Sequence, residues 1–192
     1  MTAIDIRPLI SSPMNRRILG QLLVETVANG GSVSFMHPLA PEAAEAFWTK
    51  SLEAADRGER IVLGAFDRDM LAGTVTLHLD CPQNQPHRAE IAKLMTRLSH
   101  RGRGIGSALM RAAEELAAKR GRTLLVLDTA TEDGASALYE KLGFMRAGEI
   151  PDFALKPHGR LSGTIIYWKR IGETVAAELS KLSLAQTVAC PR

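Results

Sequence analysis

The sequence has little of what marks several large function classes. Only two cysteines occur in 192 residues, Cys81 and Cys190, too few for a disulfide framework and in keeping with a reducing, cytoplasmic setting. Aromatic residues make up 5% of the chain, which leaves no paired aromatic and basic signature of RNA binding. Charge is close to balanced, 24 Lys and Arg against 21 Asp and Glu for a net +3, and no run of five or more Lys or Arg occurs. Nothing therefore points to nucleic acid. No apolar stretch approaches the length that spans a bilayer, and the start MTAIDIRPLI lacks a basic segment followed by an apolar one. Neither membrane association nor a targeting segment is expected. The histidines His37, His78, His87, His100 and His158 never fall at H-x-x-x-H spacing, nor the cysteines at C-x-x-C, so no metal is expected. A G-x-S-x-G elbow and a Walker A loop are missing as well, against hydrolase and P-loop chemistry.

What is present is an ordinary globular composition, 45% hydrophobic and 23% charged, with room for one sizeable core. Periodicity predicts a strand over Ala3–Ile10, a helix over Asn15–Val27 and a second helix opening at Pro41. A hairpin follows, Arg60–Phe66 with Met70–Leu79, and then a strand over Arg88–Thr96. Gly104–Lys119 reads as a strong helix, with Arg111–Glu115 and Glu115–Lys119 at ion-pair spacing. Thr123–Leu127 is an apolar strand and Ala135–Lys141 a short helix; Phe144–Ile150 and Gly163–Arg170 are strands around a Pro151–Ser162 loop. The order β-α-α-β-β-β-α-β-α-β-β implies an α/β fold, a central mixed β-sheet with helices on both faces. Residues 1–171 read as one domain and 172–192 as a tail, with helical spacing over Thr174–Leu184.

The most informative local feature is Arg101-Gly-Arg-Gly-Ile-Gly106, where a strand hands over to a helix. Glycines let a ligand approach the backbone closely. The unsatisfied N–H groups and positive end of the following helix favour an anion. With Arg101 and Arg103 the segment suits a pyrophosphate. Two other readings stand beside it: a tight turn, and a dinucleotide-binding loop with Asp128 as its acid. Against the second, the pattern is G-x-G-x-G followed by Ser107 rather than G-x-G-x-x-G, and too little sequence follows for six parallel strands.

The stretches Ala89-Glu-Ile-Ala-Lys-Leu-Met95, RGRGIGSALM and ASALYEKLGF together resemble the GNAT superfamily of acyl-CoA N-acyltransferases. That family carries a Q/R-x-x-G-x-G/A loop and, downstream, a short helix ending in L-Y-x-K-x-G-F. QLLVETVANGGSVSFM, LLVLDTA and GEIPDFALKPHGRL are further similar to antibiotic-inactivating enzymes of the superfamily, over Gln21 to Lys169. The sequence departs from the family pattern at Thr96, Arg97 and Leu98, and at Glu132, where an Asn is common. The resemblance implies a fold with a central mixed sheet and acetyl-CoA as co-substrate. It implies Leu94, Met95, Thr96 and the run Arg101, Gly102, Arg103, Gly104, Ile105, Gly106 and Ser107 as its binding residues. A backbone N–H near Met95, at a strand bulge, would polarise the thioester.

Tyr139 is the family's general-acid tyrosine by resemblance; the alternative, from its own spacing, is a core aromatic near Phe144. Glu90 shares a strand face with Ala92, Leu94 and Thr96 by period-two alternation. A carboxylate there suits a base, unless it simply meets solvent. Asp128, at the carboxyl end of its strand, is the other candidate base or a turn acid. Phe35, Met36, Asp152, Phe153 and His158, on flanking loops, are candidate acceptor contacts or plain surface. The expected activity is N-acetyl transfer from acetyl-CoA to a small-molecule amine, an amino-acid-like toxin or antibiotic by resemblance. Protein or peptide acetylation and a non-catalytic acyl-CoA sensor are the alternatives, and a homodimer is compatible with either.

Overall fold

The computed structural model describes residues 4–172; the expected helix over Thr174–Leu184 lies outside them. Eleven strands and helices follow in chain order: β1 (Asp5–Pro8), α1 (Pro13–Ala28), α2 (Pro41–Asp56), β2 (Arg60–Asp67), β3 (Met70–His78), β4 (Arg88–Thr96), α3 (Ile105–Lys119), β5 (Leu124–Ala130), α4 (Ser136–Lys141), β6 (Met145–Leu155) and β7 (Leu161–Arg170). The order is the expected one. Helix α1 starts two residues earlier than its apolar periodicity suggested. Ser12 caps it, accepting the Asn15 N–H at 3.1 Å, and Pro13 occupies a first-turn position where its missing N–H costs nothing.

The seven strands form one sheet in the order β1-β2-β3-β4-β5-β7-β6. Every neighbouring pair is antiparallel except β4 with β5. Helices α3 and α4 cover one face, where Ile105, Leu109, Ala113, Tyr139 and Leu142 pack on Leu63, Val75, Leu77 and Ile91. Helices α1 and α2 cover the other, where Leu19, Leu22, Leu23, Trp48 and Leu52 pack on Val62, Phe66 and Leu71. Each such fully buried apolar side chain contributes about 1.5–3 kcal/mol, which outweighs the weak local preferences of short helices. Gly20 permits the close crossing of α1 and α2, since a Cβ there would meet Glu45 Cγ at 3.0 Å.

Three features of the sheet are not announced by the sequence pattern. Strand β3 alternates apolar residues with threonines, yet both faces are covered, so Thr74 and Thr76 are buried; Thr74 Oγ1 donates to Leu63 O at 2.7 Å. Strand β5 runs on to Ala130, which puts Asp128 inside the strand, opposite Ile166. Strand β6 runs on to Leu155, so most of the expected Pro151–Ser162 loop is strand. Proline is tolerated there because β6 is an edge. On α3 the expected Arg111–Glu115–Lys119 pairs do not form; Glu114 instead accepts Lys169 Nζ at 2.7 Å. No described helix is long and apolar enough to cross a membrane.

Candidate active site

Strands β4 and β5 pair only over Arg88↔Leu124, Ala89↔Leu125 and Glu90↔Val126. Beyond that point they diverge, although both continue. The cause lies in β4. Its register against β3 slips between Thr76↔Ala92 and Thr74↔Met95, and Lys93 takes a left-handed φ of 54°. An extra residue of this kind bends a strand and reverses its side-chain alternation. Ile91 accordingly packs with the α3 face and Met95 with the α1–α2 face, despite their even spacing. The divergence opens a cleft of about 740 Å³, lined by Ile91–Thr96 on one side and Asp128–Ala130 on the other.

One end of the cleft meets the glycine loop. Gly102 and Gly104 have φ of 75° and 78°, a region few other residues adopt, and a Cβ at either would point into open space. Gly104 caps α3, and the first helical bond is Ala108 N–H to Gly104 O. The N–H groups of Ile105, Gly106 and Ser107 therefore have no partner within the helix. They border a smaller hollow of about 210 Å³, shared with Thr96, His100, Arg101 and Leu138. Arg101 lines both spaces. Arg103 is held away from them by Asp67, Nη2 to Oδ2 at 2.8 Å. That guanidinium keeps the Asp67 carboxyl below its usual value.

Tyr139 and Asp128 also line the cleft. The tyrosine ring is 6% exposed and packs against Tyr167 and Phe144, with centroids 5.7 and 6.1 Å away. Burial, and then the negative field of Asp128, push its phenol up to about 12, so it stays protonated at neutral pH. Asp128 Oδ2 accepts the Thr164 hydroxyl at 2.9 Å.

The far end is bounded by the segment after α1 and by the β6–β7 hairpin. Gly30–Ser34 and Phe153–Leu155 line it. Asp133 ties the two together, accepting Ser32 N–H at 3.2 Å and Lys156 Nζ at 2.6 Å. His37 N–H donates to Pro157 O at 2.9 Å, and the His37 and His158 rings lie against each other with centroids 4.7 Å apart and planes inclined by 53°.

The sequence model of the acetyltransferase (GNAT) family matches residues 31–144, more than half of the chain and the whole run from the far end of the cleft to α4. The chain belongs to the GNAT acetyltransferase family. Among curated relatives, human N-acetyltransferase 8B is 34% identical over 87 residues, 44% of this chain and 38% of that protein. Rat N-acetyltransferase 8B is 32% identical over 105 residues, 54% of this chain and 40% of its own length. The chain thus spans about two-fifths of these relatives. In fold it is similar to a phosphinothricin acetyltransferase from Sinorhizobium meliloti solved with acetyl-CoA, at TM-score 0.77 and 21% identity over 92% of each chain. It is also similar to a ribosomal-protein-alanine N-acetyltransferase from Brucella melitensis, at TM-score 0.74 and 22% identity over 87% of this chain and 99% of that one.

Within this GNAT fold the expected site residues divide. Leu94, Met95, Thr96, Arg101, Gly102, Gly106, Asp128, Tyr139 and Phe153 line the cleft, and Gly104, Ile105 and Ser107 the adjoining hollow. Ile105 does so by its backbone, its side chain being 2% exposed in the core. Arg103, Glu90, Phe35, Met36, Asp152 and His158 line neither space. The bulge at Lys93 explains Glu90. It places Glu90 on the face opposite Ile91, away from Leu94 and Thr96, with its carboxylate 46% exposed beside Arg88 at 3.4 Å. Phe35 is packed edge-on against Phe47 at 5.2 Å. Met36 is 46% exposed, Asp152 occupies a left-handed turn of β6, and His158 is engaged by His37. Lys93, Ser34, Asp133 and Thr164 were missed: each reaches the cleft through a bulge, a loop or a cross-strand neighbour that no local pattern announces.

Proposed function

We propose that this chain moves an acetyl group from acetyl-CoA to the amine of a small molecule by direct transfer in a ternary complex. The observation that carries the proposal is one continuous cleft joining the glycine loop to Tyr139 and Asp128. The residues present suit the co-substrate. Gly102 and Gly104 leave open space for a pyrophosphate beside the free N–H groups of α3, and Arg101 supplies mobile positive charge. Bound there, acetyl-CoA supplies an activated acetyl thioester. Leu94, Met95 and Thr96 border its path into the cleft, and an N–H beside the bulge polarises the carbonyl. Asp128, directly or through water, takes a proton from the acceptor ammonium; Glu90, the one carboxylate of β4, is the other candidate for that role. The freed nitrogen bonds to the carbonyl carbon as the carbon–sulfur bond breaks. Tyr139, protonated throughout the working range, gives its proton to the departing sulfur. It recovers one from the nitrogen's second N–H through solvent.

An amino-acid-like toxin or antibiotic as acceptor is supported by resemblance. The span Gln21 to Lys169 is similar to the tabtoxin resistance protein, and one structural neighbour is a phosphinothricin acetyltransferase. A cytoplasmic setting and a single catalytic unit over residues 1–171 belong to the same proposal. So does a homodimer, supported by the edge strand β6, which is exposed along its whole length and carries Met145, Ile150, Phe153 and Leu155. Thiol release from acetyl-CoA, measured against amino acids, polyamines, aminoglycosides and peptides, tests the reading. Release with small amines supports it, and release with peptides alone moves it to peptide acetylation. Acetyl-CoA binding without release to any amine leaves a sensor.

A further inference from the structure

Of the charged groups lining the cleft, Lys93 is unused by acetyl transfer and, unlike Asp133, has no ion-pair partner among the described residues. Lys93 sits at the bulge of β4 and lines the cleft. Its Nζ donates to Ser34 Oγ at 3.1 Å and lies 5.8 Å from the centre of the Phe47 ring. Among the described residues no carboxylate forms an ion pair with it. An ammonium carries three donors, so donors remain after Ser34 is served. Burial pulls Lys93 below its usual value, while Asp128 and Glu90 act in the opposite direction. Lys93 is thus a half-buried cation without a contacting anion, facing a space whose opposite wall carries Asp128. Buried charges of this kind are normally compensated.

We infer that Lys93 anchors the carboxylate of a zwitterionic amino-acid acceptor, while Asp128 takes its ammonium. The inference rests on the acetyl-transfer reading for the site itself and adds the residue that selects an acceptor carrying a carboxylate. Two opposite charges on facing walls, near enough to feel each other yet not in contact, match a ligand with both charges on a short frame. Polyamines and aminoglycosides meet the wrong sign at Lys93. Ser34 holds the ammonium in place, and Phe47 favours its charged form from behind. Lys93 is on this account a specificity-determining residue that leaves the proton transfers to Asp128 and Tyr139.

The test compares L-amino acids with their carboxamides, which keep the amine and the side chain but lose the carboxylate charge. Wild type is expected to use the acids with kcat/KM at least about tenfold higher, most of it in KM, as a charge-assisted hydrogen bond allows. In Lys93→Met that ratio falls to near one, and Lys93→Arg recovers part of it. Unchanged acetyl-CoA affinity shows that each variant has folded. Equal use of acids and amides by wild type overturns the inference. So does a Lys93→Met loss of kcat that is the same for both, which would make Lys93 a group for the chemistry. Calorimetry with N-acetylglycine and N-acetylglycinamide provides a readout independent of turnover. Selective binding of the acid, lost in Lys93→Met, supports Lys93 even if no amine is acetylated, an outcome that defeats the acetyl-transfer reading alone. Acetylation without acid selectivity defeats the Lys93 inference alone.

Discussion

The two ends of the cleft are built in different ways. The end proposed to hold the donor is local. Arg101 to Ser107 form one continuous loop and helix start, with glycine demanded at 102 and 104 by left-handed backbone. The end proposed to take the acceptor is assembled across the chain. Asp133 holds Ser32 across 101 residues, Lys93 reaches Ser34 across 59, and Thr164 orients Asp128 across 36. A site that recognises one constant group can be written as a motif, whereas one that selects among acceptors draws on side chains that vary independently. This is the physical reason that the donor is far easier to read from sequence than the acceptor.

Substitutions that affect one end only separate the two. Asp128→Asn should have the largest effect. It keeps an oxygen to accept the Thr164 hydroxyl but loses the base, so turnover falls about a hundredfold or more while acetyl-CoA affinity stays unchanged in calorimetry. A matching fall in acetyl-CoA affinity would mean that the two ends are not separable. Gly104→Asp should act on the other end, weakening acetyl-CoA binding about tenfold or more. Aspartate tolerates the left-handed region better than most residues, and a Cβ there meets nothing within 4 Å. The chain should therefore fold, with a carboxylate in the place of the phosphates. Unchanged affinity would remove the pyrophosphate cradle from the account.

The smallest effect is an expected absence. Tyr139 has its phenol raised to about 12, above the 10 of a free tyrosine. Its contribution to stability is complete below about pH 10 and is lost as pH rises through about 12. The working range lies below that window, so a pH profile of turnover should show no loss assignable to Tyr139 up to about pH 10. A tyrosinate absorbance band that titrates well below 10 and disappears in Tyr139→Phe would contradict this.

Most of the fold was legible because long periodic segments report burial directly. The alternation of β4 and the apolar spacing of α3 gave those elements within a residue of their observed bounds. Where the reading failed, a tertiary cause was at work. Pro151 looked like a loop start because proline cannot join an inner strand, but β6 is an edge and accommodates it. Asp128 looked like the end of its strand because β5 turns polar there, yet pairing to β7 carries the strand on to Ala130. Unbroken alternation would put Glu90 on one face with Leu94 and Thr96. The bulge at Lys93 reverses that alternation, and no glycine or proline marks it in the sequence. The same bulge brings Lys93 into the cleft, so one unsignalled backbone residue both sets Glu90 outside the cleft lining and hides Lys93. Tyr139 was open between core and catalysis, and the structure gives it features of both: its ring is core, and it stands beside Asp128 in the cleft.

The most direct test of the account is Tyr139→Phe, with kcat for acetyl transfer and the acetyl-CoA dissociation constant measured on the same preparation. The account predicts kcat reduced about a hundredfold, with acetyl-CoA bound as tightly as by wild type, because the change removes only the proton of the phenol. Unchanged kcat, or a loss of acetyl-CoA affinity equal to the loss of kcat, would contradict it.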